Sequence, residues 1–204
     1  MKVSIRTLGW TFAMLSTAIP LAGQEQALSV FVHGGGSTPL TSFGSNPDVK
    51  FNTGFNVGGG VTFALTEIWA IRGDFTFARN TGTDDRDTLP TINGEFNHFT
   101  YTADVVFRVP LRGQFIPYVS AGGGFTTIDP SLTDMTEGTY GHYFTKPAGR
   151  FGIGAIFAPQ NSNIEVILDA IGLVYKFDEI ELNKTQFDLI YSVGFAYRLP
   201  LGGG

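Results

Sequence analysis

The 204-residue chain has few charges (15 %), many aromatics (14 %), 27 glycines, 19 phenylalanines and a formal net charge of −5. The acidic balance argues against a nucleic-acid partner, and the lack of cysteine excludes a disulfide framework and a thiolate metal site. Beyond the N-terminus no run of roughly 18 apolar residues occurs, which excludes a helical membrane span.

In chain order, residues 1–23 read as an export signal. Lys2 and Arg6 form a positive start, Leu8 to Leu21 an apolar stretch, and Ala22-Gly23 a small-residue exit. Residues 24–204 are expected to form one domain. Eight segments with a period of two follow: 27–35, 51–65, 68–78, 98–109, 115–127, 150–158, 164–175 and 187–199. Such a period is the mark of a β-strand whose two faces meet different media. The connections alternate between short ones rich in turn formers (66–67, 110–114, 159–163) and long ones (36–50, 79–97, 128–149, 176–186). An even strand number with long loops at one end only matches a transmembrane β-barrel.

The two faces sort by charge. One continuous set, including Val57, Val61, Ile71, Phe75, Val105, Val119, Ile153, Leu168 and Val193, contains no Asp, Glu, Lys or Arg. That is what contact with lipid requires, because an Arg or Lys at mid-membrane costs about 2–4 kcal/mol. The opposite face takes Arg72, Asp74, Asp104, Arg108, Arg150, Glu165, Asp169, Asp188 and Arg198. These are expected to form an ion-pair network inside the barrel, with Arg72–Asp104 and Glu165–Arg198 as neighbours and inward glycines making room for the arginines. A buried charge left single is costly, so pairing is nearly forced. Aromatics gather at two heights, Trp69, Phe115, Phe157 and Tyr197 by the short turns and Phe77, Phe99, Tyr101, Phe125 and Phe187 by the long loops. They read as interfacial girdles.

Pro117-Tyr118-Val119-Ser120-Ala121-Gly122-Gly123-Gly124-Phe125 and Val193-Gly194-Phe195-Ala196-Tyr197-Arg198-Leu199 resemble the small outer-membrane β-barrel family of OmpA, OmpX and the opacity-type proteins. The resemblance implies an all-β fold, an eight-stranded antiparallel up-and-down barrel. It also implies a location in the bacterial outer membrane and a closing strand read by the barrel-assembly machinery. The chain departs from that family in adding Pro200-Leu201-Gly202-Gly203-Gly204 after the closing strand.

Candidates for catalysis are few. His33 and His98 are in phase with the inward set near the outer ends of their strands and read as rim residues, and His142 lies in the third long loop. None has a Ser two residues on, the pairing that outer-membrane lipid A deacylases use. An enzyme is therefore not expected, nor a cofactor or metal; Asp84 to Asp87 lacks the spacing and glycine of a calcium loop. Tyr140, Tyr143 and Phe144 are the aromatic candidates for a loop contact surface. The expected function is structural or surface-interacting, with the lumen plugged. The expected partners are outer-membrane lipids and an extracellular ligand of unknown kind, and the chain is expected to be a monomer. The alternative is an OmpW-like passive channel or binder of small apolar molecules.

Overall fold

A computed structural model describes residues 27–41, 49–84, 94–111, 113–134, 138–140, 143–177 and 184–200. The leader expected over 1–23 lies outside them. Ten strands follow in order: β1 Ala27–Pro39, β2 Val49–Phe51, β3 Gly54–Ala64, β4 Trp69–Asp84, β5 Gly94–Arg108, β6 Phe115–Asp134, β7 Gly138–Tyr140, β8 Phe144–Phe157, β9 Ile164–Phe177 and β10 Lys184–Pro200. Eight of them close into a ring, β1-β3-β4-β5-β6-β8-β9-β10, and every neighbouring pair is antiparallel. The two short strands, β2 and β7, only lengthen outer hairpins by pairing with β4 and β6. Closure is made by β1 against β10, from Ala27 opposite Pro200 to Pro39 opposite Asp188, so no long edge is left open.

The eight expected strands are all present, most of them longer at the outer end. β6 runs to Asp134 rather than Thr127, and β8 begins at Phe144 rather than Arg150. Past the apolar zone the outward face no longer needs large apolar residues, so the period of two fades while the backbone ladder continues. The short turns are held locally. Thr66 Oγ1 accepts from the Trp69 backbone N–H (2.9 Å), and Ser162 Oγ accepts from that of Ile164 (3.0 Å). The second short turn contains Gly113 at φ 127°, where a side chain would be strained, and in the third Asn161 takes the left-handed region its short amide tolerates.

Across the membrane zone the outward face is apolar, with Val57, Val105, Val119, Ile153, Leu168, Val193 and Phe195 among its exposed members, and on the outer extensions of β4 and β5 it carries the Arg79–Glu95 ion pair. The inside is layered rather than uniformly polar. Toward the short turns an apolar layer joins Phe31, Ala70, Val106, Tyr118, Ile156, Ile167 and Ala196. Toward the long loops a second joins Phe96, Ile128, Ala148, Ile171, Leu173, Tyr175 and Ile190. The charges lie between and beyond these layers.

Candidate functional site

The central layer of the lumen is built from alternate residues of six strands. Arg72 on β4 meets Asp169 on β9 through both guanidinium nitrogens, at 2.8 and 3.3 Å. β4 and β9 stand four places apart in the ring of eight, so this bidentate pair crosses the lumen. Such paired, parallel hydrogen bonds are the strongest that a carboxylate makes with a side chain. Arg72 also lies 3.5 Å from Asp74, donates to Tyr118 Oη at 3.1 Å, and sets its guanidinium 4.3 Å over the Phe31 ring. Tyr118 in turn donates to Asp169. Arg150 on β8 reaches Asp104 at 2.9 Å and Asp74 at 3.4 Å, and donates to Thr102 Oγ1 at 2.7 Å. Thr76 donates to Asp74 at 2.6 Å, and His33 Nε2 lies 3.6 Å from the same carboxylate.

Of the two expected pairs, Glu165–Arg198 forms, near the short-turn end. Arg72–Asp104 does not. The two residues are register partners across β4 and β5, yet each guanidinium reaches past its neighbour, Arg72 to Asp169 and Arg150 to Asp104. Strand order dictates neighbours on the wall; a long arginine can cross the bore, and there the partner is set by height. Arg108 lines a cavity of about 20 Å³ with Glu165, Ser29 and Thr62, without an ion pair among the described residues. That volume holds roughly one water. Asp188 also stands apart from the network, within the second apolar layer as the register partner of Leu173, 3.4 Å from His98.

The histidines correct the reading of them as rim residues. β1 continues to Pro39, which puts His33 at mid-strand in the charged layer. His98 is buried, stacked edge-on to Tyr175 and Phe96. The glycines make room less for arginines than for the groups that hold them. A Cβ on Gly122 would sit 2.1 Å from the Ala103 carbonyl and 2.4 Å from Asp104 Oδ1, and one on Gly154 would strike the Tyr118 ring at 2.4 Å. Gly122→Ala is expected to destabilise the barrel by about 1–3 kcal/mol through overpacking, read as an earlier midpoint in urea unfolding. Gly73, whose Cβ would meet nothing nearer than 3.8 Å, should tolerate alanine.

Trp69, Phe115, Phe157, Tyr197, Tyr101 and Phe125 are exposed on the outer wall, and Phe77, Phe99 and Phe187 half-exposed. Cross-strand pairs link them, Trp69 with Phe107 and Phe77 with Phe99, each at 5.0 Å between centroids. Tyr143 is 70 % exposed, as a contact residue needs. Phe144 is not a loop residue: it opens β8 and packs half-buried on the outer apolar layer. Tyr140 ends β7, and its side chain and His142 lie outside the described residues. Tyr118 was legible as an inward position but hidden by its place in an apolar motif.

A sequence profile of the outer membrane protein β-barrel domain matches residues 11–201. The chain belongs to that family. It is an outer-membrane β-barrel protein, and its apolar wall faces the lipid of the bacterial outer membrane. No curated protein matches it by sequence. Among solved structures it resembles a major outer membrane protein of Thermus thermophilus, at 14 % identity and TM-score 0.59, covering 86 % of this chain and all of that one. OprG of Pseudomonas aeruginosa gives 13 %, 0.53, 87 % and 98 %. Ail, the attachment invasion locus protein of Yersinia pestis, solved with the heparin analogue sucrose octasulfate, gives 20 %, 0.52, 86 % and 100 %. At such identities the likeness is one of fold.

Proposed function

We propose that this outer-membrane barrel is a closed anchor with a structural or surface-interaction role, monomeric and without enzymatic activity. The observation that carries the reading is the Arg72–Asp169 strut across the bore, flanked by Arg150 with Asp74 and Asp104 and capped on both sides by apolar layers. An eight-stranded barrel is just wide enough for its own side chains, and a solute would have to break several buried charge pairs to pass. Contacts then fall to the outward segments. Asp84, Asp85, Asp87, Asp129, Asp134, Glu137, Asp178, Glu179 and Glu181 give these a negative balance. That charge disfavours a sulfated ligand such as the one bound to Ail and favours a basic partner surface, with Tyr143 supplying an exposed ring. Export by the leader over 1–23 and assembly through the β10 strand complete the picture. In planar bilayers the purified barrel is expected to give no steady conductance, and a selective, reproducible open level would sink the closed-anchor reading.

One feature supports the second reading, a binder or channel for small apolar molecules. The β8–β9 ladder ends at Ala148–Tyr175, although both strands continue, and Pro147 at that point has no N–H to donate. A small lateral gap there would open toward the outer apolar layer. Uptake of an apolar solute by vesicles carrying the barrel, without ionic conductance, would favour this reading over the first.

A further inference from the structure

We propose that His98 and Asp188, completed by Gln186 or Tyr175, form a divalent-cation site in the outer part of the lumen, of the mixed nitrogen–oxygen class that accepts Zn²⁺. The site is separate from the central charge layer and does not depend on what the outer segments recognise. Asp74, Asp104, Asp169 and Glu165 each have an arginine within 3.5 Å. Asp188 is as deeply buried, at 1 % exposure, and has no arginine or lysine within reach among the described residues. A lone buried carboxylate is costly, and its inward neighbours provide no positive group in compensation.

Several surrounding atoms are also unpartnered. Both amide atoms of Gln186, itself 1 % exposed, lack hydrogen-bond partners, as does His98 Nε2, while the Tyr175 hydroxyl interacts with the Asp188 carboxylate. Gln186 is two residues from Asp188 on the inward face of β10 and is the register partner of Tyr175, whose ring stands edge-on to His98 at 5.8 Å. Buried polar groups are almost always satisfied, so a cluster of orphans implies an occupant. The spacing says which kind. His98 Nδ1 and Asp188 Oδ2 are 3.4 Å apart, too long for a charge-assisted hydrogen bond of about 2.7–2.9 Å. Two ligands each about 2.0–2.1 Å from a tetrahedral Zn²⁺ stand about 3.3–3.4 Å apart. A cation held there would neutralise Asp188, satisfy the orphan Gln186 oxygen, and tie β5 to β10, which lie on opposite sides of the ring.

The test uses the full barrel refolded in detergent, stripped with chelator and titrated with ZnCl₂ by calorimetry. One Zn²⁺ per chain is expected, with affinity falling at least tenfold in Asp188→Asn and in His98→Ala and unchanged in His142→Ala. Heat-modifiable mobility on gels shows that each variant is folded. Should a variant not fold, Co²⁺ added to the wild-type protein decides the matter by NMR, where broadening is expected around residues 98, 175, 186 and 188. No stoichiometric binding, as ordered water alone would give, overturns the proposal. So does binding that survives Asp188→Asn in folded protein, or broadening confined to the acidic outer segments.

Discussion

Arg72→Ala is expected to lower the free energy of unfolding by about 3–5 kcal/mol, the cost of stranding a buried charge by removing its partner. Asp169 would keep only Tyr118, and Asp74 would lose one of its two arginines. The readout is urea unfolding in lipid vesicles followed by fluorescence of Trp69, the only tryptophan after Trp10. Arg198→Ala is the matched control. Its side chain is 42 % exposed beside Glu165, and an ion pair that wet is worth about 1 kcal/mol or less. Equal losses from the two substitutions would show that the bore is hydrated at Arg72 and that the strut does not close it. Replacing Arg72 and Asp169 together by apolar residues of similar volume should recover much of the loss, because the penalty lies in the unpaired charge rather than in the missing bond.

The second large effect is on the opposite face. Leu168→Arg should cost about 2–4 kcal/mol, and the same change at Ile164, close to the short turn, only about 0–1. Both residues lie on the outward face of β9 and are about half-exposed, at 48 % and 53 %. They differ only in depth, so the gradient between them measures the bilayer and not the protein. It is read as the fraction folded into vesicles against urea. A flat response at the two positions would be incompatible with Leu168 lying in the hydrocarbon zone.

The wall of this protein was legible because lipid is an unforgiving solvent. Val105, Leu168 and Val193 must be apolar whatever their neighbours are, so a single sequence displays their face. The interior obeys a weaker rule. It asks that charges be balanced, and Arg72, Arg150, Asp74, Asp104 and Asp169 could have been balanced by several pairings. Which one forms depends on heights across the bore, and those follow from the register of strands far apart in sequence. The layering was missed for a related reason. Ile171, Leu173, Ile190 and Phe96 are inward residues that are apolar where the pattern expects polar ones, and their layer only makes sense as one body when five strands are seen together. His33 was misplaced by a boundary: with β1 ended at Gly35 it is a rim residue, and with β1 ended at Pro39 it is central.

The closing ladder bears on how the molecule comes to be. Ala27 and Pro200 face each other across the seam, and the thirteen register pairs from there to Pro39 and Asp188 join the first strand to the last. Every other ladder of the ring joins strands that follow one another, apart from the short additions at β2 and β7. Seven hairpin contacts are therefore local, and the eighth must wait for both ends of the chain, which makes seam formation the high-contact-order step that limits the folding rate. Adjacency of the ends also means that a short peptide could join them and new ends be opened at residues 159–163. The permuted chain would have the same wall and the same bore, with the late, long-range ladder moved to β8 and β9.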